Sequence, residues 1–405
     1  MLLANNCHLT YCTNIHPAES WNETFSQLKK YLPSVREKAG DKDALMGVGL
    51  RLSNQASQEL DAKELTRFKS WLKKNNFYVF TMNGFPYGAF HYEKVKDLVH
   101  YPDWLSRDRL DYTLRLFGQL KELLPVGMNG SISTSPLSYK DWFSTRSAAT
   151  NAVIQSTYHI LEVAEYLARE KAESGVCLHL DIEPEPDGLL GNTREFIEWY
   201  EEYLLPEGVK YFRKKMGLKA AEAKALLKEH IRLCYDICHV AVSYENHSSL
   251  LKKLSEKGIR VGKLQVSAAL KVLFGKYNRQ KIKELGLFNE PVYLHQVVAK
   301  LGPRRLRRFY DMPPALRHFN EEHKEWRVHF HVPLFIEKYG LLLSTQKDIL
   351  KVLKLFSEKP FTNYLEVETY TWDVLPDELR LDMAESISRE LKWVKAQLSH
   401  FKFDE

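Results

Sequence analysis

Long hydrophobic runs are missing from this sequence. No stretch of its 405 residues approaches the roughly 18 consecutive apolar residues that a membrane-spanning helix needs. The opening MLLANNCHLTYC has neither a basic start nor a continuous apolar stretch, so no secretory signal is expected. Cysteine is scarce. The five present (Cys7, Cys12, Cys177, Cys234, Cys238) are odd in number and mostly sit in strand-like runs. They read as reduced thiols in a cytosolic protein rather than a disulfide framework. No excess of one charge dominates either: 58 Lys and Arg against 52 Asp and Glu leave a net charge of +6. That surplus permits nucleic-acid binding without arguing for it. No Gly-x-Gly-x-x-Gly follows the first apolar run and no Gly-x-x-x-x-Gly-Lys-Ser/Thr occurs, which weighs against a dinucleotide fold or a P-loop; no nucleotide cofactor is expected. What the chain does have is 44% hydrophobic and 27% charged residues, enough for a large buried core.

Two kinds of segment alternate along the chain. Short, apolar, often β-branched runs occur at 7–14, 45–53, 77–84, 130–136, 176–184, 231–239, 261–268, 328–335 and 364–372. Between them lie amphipathic stretches with 3.6-residue periodicity, at about 22–38, 60–75, 102–124, 147–173, 193–230, 246–257, 345–357 and 376–399. Three of these begin with a capping-box pattern, at Ser20 and Glu23, Asp61 and Glu64, and Asn192 and Glu195. Strands alternating with helices imply crossover connections and a parallel sheet. About eight such units predict a single (β/α)8 TIM barrel over 1–405. Nine strand candidates for eight places, and a basic, proline-bearing stretch at 302–319, predict an insertion at about 269–363 between the seventh and eighth barrel strands, with 328–335 inside it.

In such a barrel the chemistry is done at the carboxyl ends of the strands. Here VCLHLDIE ends on Glu183, LCYDICH supplies Asp236 and His239, and KLQVSA supplies Gln265. VHFH adds His329 and His331, and YLEVE ends on Glu368. Each residue alone has a bland explanation: a salt bridge across the barrel mouth for either glutamate, a hydrogen-bonded core histidine for either imidazole. Cys234 and Cys238 read as small buried side chains rather than a metal pair. Together, carboxylates, imidazoles and an amide ending separate apolar runs point to one pocket and to a divalent ion, because buried polar groups are costly unless paired or metal-bound.

The order of these residues resembles the xylose isomerase-like barrel superfamily, which includes sugar isomerases, epimerases and endonuclease IV-type enzymes. Its pattern of a Glu after strand five, an Asp-x-x-His after strand six, a ligand after strand seven and a Glu after strand eight falls on Glu183, Asp236 with His239, Gln265 and Glu368. The Asp-x-His pair of the endonuclease-type members falls on His329 and His331. Two departures stand out: Gln265 replaces a His, and His329 replaces an Asp. The resemblance implies one ion of Zn, Mn or Fe on Glu183, Asp236, Gln265, His329, His331 and Glu368. It also implies Glu183 and Glu368 as a catalytic proton-transfer pair, and His16, Arg51, Asn83 and His239 as grips on substrate oxygens. Within the superfamily, LTYCTNIHPAESW (9–21), LQVSAAL (264–270), EPVYLHQ (290–296), WRVHFHVPLF (326–335) and LEVETYTWDVLP (365–376) are similar to the EboE family of metabolite traffic proteins. That likeness spans the whole chain. It implies a cytoplasmic protein handling a polyhydroxylated or carbonyl-bearing metabolite bound for the periplasm, with protein partners from the same gene cluster, no nucleic acid and no direct membrane insertion. A metal-dependent isomerase or epimerase is the expected activity; a catalytically silent metabolite carrier and an endonuclease IV-like phosphodiesterase are the alternatives.

Overall fold

Eight apolar segments pair in parallel around one axis: β1 (His8–Tyr11), β2 (Met46–Arg51), β3 (Phe77–Asn83), β4 (Gly130–Thr134), β5 (Leu178–Ile182), β6 (Ile231–Asp236), β7 (Val261–Val266) and, at the far end of the chain, the strand Tyr364–Val367. That last strand lies between β1 and β7, and a parallel bridge from Cys12 to Gly49 brings β1 against β2. The sheet thus closes into a (β/α)8 barrel. The computed structural model describes residues 1–40, 43–88, 95–290, 292–369, 371 and 382–403.

Strands buried on both faces need continuous apolar runs, and nearly every residue of the eight is buried. The helices between them start where side-chain acceptors satisfy free N–H groups. Ser20 and Glu23 form a complete capping box at Trp21–Lys38, and Asp61 and Asn192 accept from Glu64 N and Glu195 N. The long periodic stretch at 193–230 is broken at Gly217, whose φ of +70° ends one helix in the left-handed region before Ala220–His230 begins. The last helix runs Met383–His400; residues 372–381, with the end of the LEVETYTWDVLP segment, lie outside the described residues. Among the described residues no helix is long and apolar enough to cross a membrane.

Between β7 and the last barrel strand the chain builds a second, six-stranded sheet from β8 (Ala269–Leu273), β9 (Val297–Lys300), β10 (Leu306–Phe309), β11 (Glu325–His331), β12 (Lys338–Tyr339) and β13 (Leu342–Ser344). The closing barrel strand is therefore β14 (Tyr364–Val367). All pairings in the second sheet are antiparallel, and a bulge interrupts the β11–β8 ladder between Val328 and His331. Bulges bend a strand and re-aim its side chains; here the two histidines at the bulge turn to the ends of β6 and β14. The sheet is tied to the barrel's loops. Arg308 pairs with Asp187 beyond β5, Arg327 Nη1 donates to Ala241 O at 2.7 Å, and Lys96 Nζ meets Asp311 at 2.9 Å.

The barrel interior carries charge. Lys263 Nζ on β7 lies 2.7 Å from Glu366 Oε2 on β14, both side chains fully buried. On β5, His179 Nδ1 lies 2.6 Å from Asp181 Oδ1. Two glycines make the room. A Cβ on Gly49 would come within 1.9 Å of Glu366 Oε1, and one on Gly262 within 1.8 Å of Asp181 Oδ1.

Candidate functional site

The carboxyl ends of β5, β6, β7 and β14 meet the bulged end of β11 at the barrel mouth. Asp236 ends β6 and caps the short helix Ile237–Val242; its Oδ1 accepts from His239 N at 3.0 Å and from Ser267 Oγ at 2.7 Å. The helical turn that follows carries His239 back over the mouth.

Three imidazoles converge there, and their tautomers follow from their partners. His239 Nδ1 lies 2.9 Å from Pro184 O, and His331 Nδ1 lies 2.7 Å from Glu368 O. A carbonyl oxygen only accepts, so both Nδ1 atoms carry the proton. His329 Nδ1 lies 2.8 Å from Gln296 Oε1, and Gln296 Nε2 donates to Pro186 O at 3.1 Å, which fixes the amide's orientation. All three histidines therefore present a lone pair at Nε2. The Nε2 atoms of His239 and His329 face each other at 3.1 Å. Burial drives the charged forms down: His239 to about 3 with His331 adding to the effect, His329 well below its usual value, and His331 in the same direction. Neutral imidazoles with aligned lone pairs are what a metal ion takes, and an Nδ1 proton held by a carbonyl is the usual support of such a ligand.

Carboxylates complete the cluster. Donor atoms of Asp236, His239 and His331 lie within 4.8 Å of one another, as do those of Glu185, His239 and His329, and those of Glu183, Asp236 and Glu368. Asp236 Oδ2 and Glu183 Oε2 are buried without a hydrogen-bond partner, a costly state that a cation would relieve. The residues present thus fit a divalent ion, with nitrogen donors that favour zinc-like metals over magnesium or calcium. Cys238 Sγ lies within the same reach of His329 and His331, but burial pushes its thiol pKa well up and keeps the proton on sulfur.

Glu368 is held differently. Its Oε1 accepts from Asn14 Nδ2 at 2.9 Å and Asn83 Nδ2 at 3.1 Å, and its Oε2 accepts from Gln265 Nε2 at 2.6 Å. Gln265 thus turns its amide nitrogen, not its oxygen, to the centre; the oxygen accepts from Cys234 Sγ at 2.9 Å. Burial, then Glu368 and Asp236, push the pKa of Glu183 well above the carboxylate range. Burial, Asp236 and Glu366 do the same for Glu368. For Glu185, burial and Asp187 raise it to about 8.

Among the other sequence candidates, Asn83 reaches the site but His16 and Arg51 do not line the pocket. His16 Nε2 sits 2.9 Å from Tyr11 OH and its ring stacks on Tyr31 with centroids 4.4 Å apart. Arg51 donates to Ala18 O and Gly88 O and pairs with Glu19 at 3.8 Å. The pocket above the polar floor is lined also by Asn14, Glu185 and His100, which sequence reasoning passed over. Glu185 had a signal, two residues after Glu183 in Glu-Pro-Glu-Pro. His100 had none, because it comes from a short turn far along the loop after β3.

No family model and no curated protein matches the chain. Solved structures do. A xylose isomerase-like TIM barrel protein from Mycobacterium smegmatis, in complex with magnesium, aligns over 99% of both chains at 10% identity with a TM-score of 0.52. IOLI protein with a binding zinc atom aligns over 97% of this chain and 99% of its own, at 11% identity and a TM-score of 0.48. The probable 3-DHS dehydratase AsbF from Bacillus anthracis covers 96% and 98%, at 10% identity and a TM-score of 0.46. With eight parallel strands closed around the axis and a full-length match to the mycobacterial protein, this chain has the fold of the xylose isomerase-like TIM barrels.

Proposed function

We propose that the chain is a divalent-metal-dependent enzyme of the isomerase or epimerase class, acting on a carbonyl-bearing metabolite. The observation that carries this reading is the convergence of three Nε2 lone pairs, from His239, His329 and His331, beside two carboxylate oxygens without partners, on Asp236 and Glu183. His239, His329, His331 and Asp236 would hold the ion. A bound divalent ion supplies Lewis-acid polarisation of the substrate carbonyl and steadies negative charge on its oxygen. Glu183, lining the pocket with Oε2 unengaged, takes a proton from the carbon beside that carbonyl and returns it, on the same or the neighbouring carbon. Asn14, Asn83 and Gln265 fix the Glu368 carboxylate across the floor, where it orients the substrate's second oxygen or completes the exchange on the opposite face. Magnesium in the similarly folded mycobacterial protein is in keeping with a divalent ion here. The setting in metabolite traffic, with a cytoplasmic site and partner proteins, rests on the sequence resemblance to the EboE family.

A second reading has one specific observation in its favour. Both oxygens of Glu368 are engaged by amide donors, which leaves Glu183 as the freer acid–base group and suits a metal-assisted carrier that binds without turnover. One experiment separates the two. Freshly purified protein is assayed for metal by elemental mass spectrometry, then incubated in D₂O with a panel of ketones and ketoses. About one zinc, manganese or iron per chain, with deuterium entering a substrate carbon in wild type but not in Glu183→Gln, supports the enzyme. Metal without exchange supports the carrier. Protein that neither holds nor takes up these ions overturns both.

A further inference from the structure

The floor of the pocket is polar; above it, among the described residues, five apolar side chains stand beside Lys96, His100 and Tyr293. Phe85 and Pro86 follow β3, Val95 and Val99 come from the turn beyond, and Leu294 comes from the inserted segment before β9. These five side chains face the space above the histidine and carboxylate cluster.

The wall is held in place by buried and paired polar groups. The fully buried guanidinium of Arg109 donates to Gly84 O and Phe85 O, both at 2.8 Å, and to Pro102 O at 2.7 Å. It fixes the backbone that presents Phe85. On the other side, the backbone N–H groups of Val95 and Lys96 donate to Val292 O at 3.1 and 3.2 Å. Lys96 Nζ is committed to Tyr293 O at 2.7 Å and to Asp311 at 2.9 Å. The insertion is thereby stitched to the β3 loop, and the Lys96 cation on this rim is already engaged.

The consequence is chemical. A sugar in this pocket would set several hydroxyls against carbon. Each hydroxyl stripped of water without a new partner costs about 1–3 kcal/mol. Of the loop and strand-end side chains expected from the sequence to grip such hydroxyls, His16 and Arg51 face elsewhere and are occupied, and Asn83, which does line the pocket, gives its amide N–H to Glu368 Oε1 at 3.1 Å. Building on the metal-centre reading above, we infer that the substrate is amphiphilic. It carries a pair of oxygens that chelate the ion at one end and an apolar ring or branched hydrocarbon body at the other, in place of the polyhydroxylated chain of a sugar.

Three hydroxamates with the same chelating head test this on zinc-loaded protein by titration calorimetry: acetohydroxamate, benzohydroxamate and gluconohydroxamate. Benzohydroxamate is expected to bind about tenfold or more tighter than acetohydroxamate, as burial of a phenyl ring in place of a methyl group implies. Gluconohydroxamate is expected to gain nothing over acetohydroxamate. In Leu294→Asn and Val99→Ser, each checked for full zinc content, the benzo-to-aceto ratio should fall towards one. Equal binding of all three, a preference for the polyol, or a ratio that survives both wall variants overturns the inference while leaving the metal centre standing. Failure of every hydroxamate to bind, or of the protein to hold zinc, overturns the metal-centre reading and this inference with it.

Discussion

Lys263 and Glu366 form a 2.7 Å ion pair inside the barrel with both side chains fully buried, two residues below Gln265 and Glu368 on the same two adjoining strands. Side chains alternate along a strand, so this pair forms the layer of the interior directly beneath the site's floor. Burial alone would strip the proton from Lys263, yet the Glu366 carboxylate raises its pKa above the usual lysine value. The charge is there because its partner is.

A buried pair broken on one side leaves an uncompensated charge, at a cost of about 3–5 kcal/mol, whereas replacing both partners with apolar groups is often neutral. Lys263→Met alone is therefore expected to lower unfolding stability by about that amount. The Lys263→Met, Glu366→Leu double variant should recover most of it. Denaturant unfolding of the full cycle measures the coupling; additive losses would show that the two side chains stabilise the barrel independently.

The metal centre makes a prediction that does not depend on turnover. Gln296 Oε1 accepts the Nδ1 proton of His329 at 2.8 Å and so supports that imidazole from behind. Loss of such a supporting hydrogen bond typically weakens metal affinity about 10–100-fold. Gln296→Ala is expected to fall in that range for zinc, measured by competition with a chelating dye. His329→Ala, which removes the donor atom, should lose more. Wild-type affinity in Gln296→Ala would mean that His329 does not bind the ion through Nε2.

Much of this was legible beforehand, for physical reasons. Parallel barrel strands are buried on both faces, so they appear as apolar runs, and Glu183, Asp236 and Glu368 stand out because each interrupts such a run at its end. His329 and His331 were visible as polar residues in another apolar run, but what gathers them at the centre is a bulge in β11 and a whole second sheet, which periodicity within 269–363 does not report. Gln265 could be read as a ligand because its residue type allows it; only the donors around Glu368 and the thiol of Cys234 reveal which end of the amide faces inward. His16 and Arg51 mislead for a similar reason. They follow or end barrel strands, but the side-chain directions that take them to Tyr11 and Ala18 are tertiary. The apolar wall had no sequence signature at all, since Phe85, Val99 and Leu294 look like any loop or core residue.

Gly262 offers a sharper test of the barrel interior than any single contact. A methyl group there would lie 1.8 Å from Asp181 Oδ1, and Asp181 is itself fully buried against His179. Gly262→Ala should destabilise by about 1–3 kcal/mol or more, as overpacking of a filled core does. Removing the obstacle as well, in Gly262→Ala with Asp181→Ala, should cost less than the sum of the two single changes. Equal costs in the single variant and in a surface control such as Gly286→Ala, where a Cβ meets nothing within 4 Å, would refute the close packing.

Glu390 gives the stability of the fold a pH dependence of its own. It sits on the last helix, buried, accepting from Leu334 N at 3.1 Å and Thr369 Oγ1 at 2.8 Å. Those bonds favour the carboxylate, but burial outweighs them and lifts its pKa from 4.5 to about 8. The folded state therefore holds a proton that the unfolded chain releases near its ordinary value. Stability from this group is fully present below about pH 4.5, is lost progressively as pH rises through about 8, and is flat beyond. Glu390→Gln, which imitates the protonated acid, should abolish that slope. The unfolding free energies of wild type and Glu390→Gln are compared by urea denaturation from pH 5 to 9. Their difference is expected to move against wild type by a few kcal/mol, at roughly 1.4 kcal/mol for each pH unit between the unfolded and folded values. A difference that stays constant over that range would mean that Glu390 remains ionised in the fold, with its charge held by the Leu334 and Thr369 donors rather than overruled by burial.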